Sequence, residues 1–163
     1  TVLGKISPST FQISTKFGTL TTDLASINRA VRTGQGREAF SKIVDVSGQN
    51  LMQRGYKKST IQVRQGDRVT VSATGYIVMT PWGSSTRSTP DGSTQWGQYN
   101  GFPAGCLVAK IGNGKPFRIG SKKTFTAKTP GTIHFGVSMN SSYASQVFPG
   151  TYKVKTKVSP KNN

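Results

Sequence analysis

The sequence predicts an all-β protein: antiparallel strands folded into a sandwich or barrel, preceded by an extended arm and one short helix. Three observations carry this. From about residue 59 onward, apolar and polar residues alternate with period two. About eight such short runs follow one another, separated by turn residues. Helical spacing of apolar residues is clear in one place only, before the alternation begins.

Taken in order, residues 1–19 are polar, rich in Ser and Thr, and contain Pro8, which reads as an extended arm. Leu20, Leu24, Ile27 and Val31 then fall at i, i+4, i+7 and i+11, one apolar stripe of a helix. Thr21 or Thr22 would cap its start, Asp23 suits its positive end, and Arg29, Arg32 and Gly34 suit its finish. A single helix cannot bury such a stripe alone, so it must pack on the body or on another chain. The segment REAFSKIV, residues 37–44, fits a helical turn or a strand equally.

The run STIQVRQGDRVTVSATG places Ile61 and Val63 on one face, turns at Gly66 and Asp67, and returns with Val69, Val71 and Ala73 alternating against Arg68, Thr70 and Ser72. It reads as a hairpin. YIVM follows. Residues 80–104 hold three prolines and four glycines and read as a long, turn-rich segment. CLVAKIG, PFRIG, TFTAKT, GTIHFGVS and TYKVKTKV supply the remaining strands. In the last, Tyr152, Val154, Thr156 and Val158 face one way and Lys153, Lys155 and Lys157 the other. Such a lysine row protects an edge strand from pairing, or it binds an anion.

Of 163 residues, 22 are Lys or Arg and five are Asp or Glu, a formal charge of +17. Residues 1–45 hold six bases (Lys5, Lys16, Arg29, Arg32, Arg37, Lys42) and three acids (Asp23, Glu38, Asp45), so +14 falls on residues 46–163. The body is the cation. Its field attracts polyanions and acidic protein surfaces. The single cysteine, Cys106, excludes an intrachain disulfide. No apolar run approaches the roughly 20 residues of a membrane helix. The opening TVLGKISPST carries no signal-peptide core.

From about residue 45 the chain resembles the galactose-binding bacterial lectins of the PA-IL type. The residues that carry the resemblance are KKSTIQVRQGDRVTVSATGYI with its Gly-Asp turn, the Pro-Asp loop TPDG, AGCLVAKIGNGKPFRIG, GTIHFGVSMN leading into the ligand loop, and the closing PGTYKVKTKV. The resemblance implies a jelly-roll-like sandwich of two antiparallel sheets over 45–163, with 1–44 as an added arm and helix. It also implies a calcium ion in the 138–151 loop, held by an Asp, a Thr and two adjacent Asn. Those places fall on Asn140, Ala144, Val147 and Phe148, and the sugar-contacting His falls on Thr89. Only Asn140 offers a side-chain oxygen, and calcium needs several. The expectation is therefore an emptied calcium site and no cofactor. Tyr143, Phe148, Pro149 and Tyr152, with Val147, then form an apolar plug of the sandwich end or a patch for a neighbour.

Catalytic chemistry has little to stand on. Asp67 and Asp91 sit in turns, and no close acidic pair is in view. His134, between Ile133 and Phe135, reads as a half-buried strand residue, and Cys106 beside Leu107 and Val108 as core. GNGKPFRIG joins strand to strand, without the helix a phosphate loop requires. The expected function is non-enzymatic: a structural or adaptor protein of a larger assembly, a virion or tail-like particle, with partner subunits bearing acidic surfaces and Leu20, Leu24, Ile27 and Val31 as the assembly stripe. One alternative is calcium-independent glycan or envelope binding by the loop residues Trp82, Asp91, Trp96, Tyr99, Asn140, Tyr143 and Phe148, since sugars stack on aromatic faces. The same aromatics, with Phe102, could stack bases, although no nucleic-acid motif is present. A third reading is polyanion binding through Arg118, Lys122, Lys123, Lys153, Lys155 and Lys157.

Overall fold

The computed structural model describes residues 10–23 and 37–161. The chain forms two compact units, residues 1–35 and 36–163. In the first, β1 (Thr10–Thr15) and β2 (Gly18–Asp23) make an antiparallel hairpin in which Ile13 pairs with Leu20. The expected helix start is thus a strand: Leu20, Thr21, Thr22 and Asp23 all lie in β2. The β-branched Thr19, Thr21 and Thr22 favour an extended chain more than a helix cap. Gly18, at φ +127, turns the chain after a two-residue connection. Leu24, Ile27 and Val31 lie outside the described residues.

The second unit is an all-β sandwich. Its strands are β3 (Phe40–Ser47), β4 (Lys57–Val63), β5 (Arg68–Val78), β6 (Arg87–Ser88), β7 (Ser93–Tyr99), β8 (Phe102–Ala104), β9 (Leu107–Ile111), β10 (Phe117–Arg118), β11 (Lys122–Thr126), β12 (Gly131–Val137) and β13 (Gly150–Ser159). One sheet has the order β10-β9-β12-β4; the other runs β11-β5-β13-β3, with β6 beside β5. β7 and β8 pair as a separate ribbon. The undecided segment 37–44 is strand from Phe40 on, and β3 spans the 44/45 boundary drawn from the resemblance.

Two expectations change here. β4 and β5 are not a hairpin: they lie in different sheets, and the turn at 64–67 carries the chain from one to the other. Ile61 and Val63 therefore meet Val69 and Val71 across the core, and all four are buried. Asp67 fixes this crossing by accepting hydrogen bonds from Arg64 N (2.8 Å) and Arg37 Nη1 (2.7 Å). Secondly, β13 is not an edge. It pairs along its length with β5 on one side and β3 on the other, so its lysine row is not edge protection.

Alternation accounts for the core. Tyr152, Val154, Thr156 and Val158 of β13 are all buried, while Lys153, Lys155 and Lys157 are exposed. Phe135, Phe148 and Tyr152 are the largest fully buried side chains, each adding roughly 1.5–3 kcal/mol or more of apolar burial. Among the described residues no helix is long and apolar enough to cross a membrane.

Candidate functional site

The 138–149 loop and the turn-rich segment 80–104 close the same end of the sandwich, and their side chains bind each other. Trp82 packs between Trp96 of β7 (ring centroids 6.3 Å, 40°) and Tyr143 (4.9 Å, 58°). All three rings are half-buried against the core. The Tyr99 hydroxyl accepts from Ser141 N (2.6 Å) and donates to Asn140 Oδ1 (2.7 Å). Asn140 Oδ1 also accepts from Ser142 N (2.8 Å), capping a single turn of 3-10 helix at Ser141–Tyr143. Sequence reasoning found these residues singly; the structure makes them one cluster in which the Tyr99 hydroxyl and the Asn140 side-chain oxygen already have partners.

Phe148 is fully buried, so its ring offers nothing to a ligand. A Cβ on Gly48 would collide with the Phe148 carbonyl, which shows how tightly the plug is covered. Tyr152 lies beneath it, its hydroxyl facing the carbonyls of Gly105 (2.8 Å), Thr89 (2.9 Å) and Ser88 (3.3 Å). Burial pushes this phenol far above its ordinary range. Val147 and Pro149, by contrast, are exposed, Val147 at 59%, and only its carbonyl is held, by Thr80 Oγ1 (2.8 Å).

Asp91 pins the Pro-Asp loop to the β10–β11 turn. Its carboxylate accepts from the Ser121 hydroxyl and from Ser121 N (2.9 Å), while Arg118 donates to the Asp91 carbonyl (3.2 Å). The Ser121 hydroxyl and amide and the nearby Arg118 hold its carboxyl below the usual range, against a smaller opposing effect of burial. Asp91 is thus engaged within the fold.

The basic residues separate into three settings. Lys153, Lys155 and Lys157 stand on the outer face of the five-stranded sheet, on an internal strand. Register places Lys122 in the same row as Ser72 and Lys155. The cross-strand neighbours are largely hydroxyls, Thr74, Ser72 and Thr70 on β5 and Ser41 on β3, with Ile43 opposite Lys155 and Asp45 opposite Lys153. Lys123 points the other way and is half-buried at the cleft between β10 and β11. Arg118 is tied to the Asp91 loop.

His134 faces outward between Lys58 and Lys110 in the four-stranded sheet. Partial burial first, then these two cations, lower its pKa. Cys106 is fully buried and burial pushes its thiol up. Among the described residues no three His, Cys, Asp or Glu stand together as metal ligands would.

No known family profile and no curated protein matches the chain. A solved structure described as the EclA N-terminal domain, a PllA-like lectin, does match: TM-score 0.55, 17% identity, covering 72% of this chain and 95% of that one. The fold is lectin-like. At that identity the likeness speaks for architecture alone, and it agrees with the sandwich that the sequence resemblance implies. The residues that sequence reasoning does not single out are Phe117 and Phe125; their convergence with Lys123 at one cleft follows from sheet order and leaves no trace in local pattern.

Proposed function

We propose that the body is a non-enzymatic binding module that takes anionic polymers, anionic glycans foremost, on the outer face of its five-stranded sheet without calcium. The observation that carries this reading is the internal position of β13. Because β5 and β3 flank it, Lys153, Lys155 and Lys157 occupy the middle of an open face instead of a rim. Alternate residues of a strand lie about 6.7 Å apart, so the three ammonium groups form a ladder matched to a chain of repeated charges. Flanking hydroxyls of Thr70, Ser72 and Thr74 offer donors and acceptors to a sugar chain. The lectin-like fold supports a carbohydrate as the polymer.

Calcium does not fit the 138–149 loop. Ala144 has no side-chain oxygen, Val147 is aliphatic, Phe148 is inside the core, and the Asn140 oxygen already accepts two hydrogen bonds. Chelator is expected to leave binding unchanged.

The test is heparin binding as a function of salt. Affinity should fall linearly on a log–log plot, each neutralising lysine adding about one unit of slope. The triple variant Lys153→Gln, Lys155→Gln, Lys157→Gln should lose up to about three units of slope while keeping its unfolding midpoint. Binding indifferent to salt, or unchanged in the triple variant, overturns the reading.

A structural role in a larger particle is the second reading. The hairpin of β1 and β2 supports it, since it belongs to a compact unit of its own. Acidic partner surfaces would suit the body's charge. A chain lacking residues 1–35 that still enters the particle in full would remove it.

A further inference from the structure

At the end of the sandwich opposite the 138–149 loop, the two sheets part. β10 is the edge of one and β11 the edge of the other. A cleft of about 650 Å³ lies between them, within the range that small-molecule sites occupy. Its floor is Phe117 from one sheet and Phe125 from the other, edge-to-face with centroids 4.9 Å apart, extended by Ile111 and Pro116. These rings are only half-buried, although they pack against the core.

Lys115, Lys123 and Lys128 stand around this floor. None of the residues lining the cleft is acidic. Of the acids near this end, Asp67 already pairs with Arg37 at 2.7 Å, and neither it nor Glu38 lines the cleft. A cavity with an apolar floor and a cationic rim has a definite complement. A neutral apolar molecule leaves the rim unanswered, and a small hydrophilic anion leaves the rings wet. We propose that the cleft is a second binding site, separate from the lysine face, for a small molecule with an apolar body and one carboxylate or sulfate head. The body would lie on Phe117 and Phe125, and the head would meet Lys123 and Lys128. Lys123 is half-buried and lines the cleft beside these rings, and a lysine can keep its stem on apolar surface while its ammonium meets the head.

The full chain can be titrated with 4-phenylbutyrate, 4-phenylbutan-1-ol and acetate while amide shifts are followed by NMR. The carboxylate should give saturable shifts centred on Phe117, Lys123 and Phe125. The alcohol should bind about tenfold more weakly, equivalent to about 1.4 kcal/mol, and acetate should not saturate. Lys123→Gln with Lys128→Gln should weaken the carboxylate about tenfold and leave the alcohol unchanged. The triple variant of Lys153, Lys155 and Lys157 should bind the carboxylate normally, which separates this site from the polymer face. Equal affinity for acid and alcohol overturns the proposal. So does shift mapping outside the cleft, absence of saturation, or a Gln pair that binds the acid as well as the parent chain.

Discussion

At one end of the sandwich the side chains that look most like a ligand site are bound to each other. Tyr99 holds Asn140 and Ser141, Trp82 lies between Trp96 and Tyr143, and Phe148 fills the core. At the other end, two phenyl rings stay half-exposed beneath three lysines that face no lining acid. The difference lies in how the sheets finish. At the first end, long loops fold back and supply partners; at the second, short turns leave two strand edges facing a gap. Residues with chemical promise are most available where the fold leaves them without internal partners, and composition alone does not tell the two ends apart.

The hardest way to break this contrast is to open the closed end. Phe148→Ala removes a fully buried ring and should cost about 3–5 kcal/mol, read from the shift in denaturant midpoint. A cost below about 1 kcal/mol would mean that the loop is a loose cover and not a plug.

Asp67 offers a smaller effect at the open end. Burial alone would raise its carboxyl. The hydrogen bonds from Arg64 N, Arg37 and Lys161 N, with the Arg37 charge, outweigh this and hold it below its ordinary value. A depressed folded value stabilises the protein above the unfolded carboxylate value of about 3.9, and that stability is lost as pH falls through the folded value. Asp67→Asn should therefore cost about 1–3 kcal/mol at neutral pH, with the two chains converging in acid. A gap that does not begin to narrow as pH falls below the unfolded value of about 3.9 would place the effect in packing and not in charge.

Much of the sandwich was legible because each strand advertises its own face. Tyr152, Val154, Thr156 and Val158 announce burial by alternation, and they are buried. What alternation cannot announce is the neighbour. The run through Gly66 and Asp67 reads as a hairpin because both strands alternate, yet the same pattern serves two strands that face each other across a core. Likewise β13 reads as an edge as long as residues 37–44 are undecided, since β3 is the strand that covers its second side. The expected helix start at Leu20 to Asp23 is a strand for a local reason: Thr19, Thr21 and Thr22 favour an extended chain over a helix cap, while the rest of the stripe lies outside the described residues. The candidate loop residues were found one at a time. Their mutual hydrogen bonds join positions some 40 residues apart, as with Tyr99 and Asn140, separated by 41, and no local pattern encodes that.

The smallest perturbation sharpens the contrast most. Tyr99→Phe keeps the ring and deletes the hydroxyl that ties the β7 strand to the 138–149 loop. Solvent reaches this site, so the freed Ser141 amide can bond to water, and the cost should be only about 0.5–1.5 kcal/mol. The informative readout is local. If this hydroxyl is what keeps the loop shut, amide exchange at Ser141 and Ser142 should quicken while Phe135 and Val154 in the core stay protected. Freeing Asn140 in this way still supplies no carboxylate, so calcium should add nothing to the variant's stability. Unchanged exchange at Ser141 would show that the aromatic trio alone closes this end, and that the two ends differ in packing, not in hydrogen bonding.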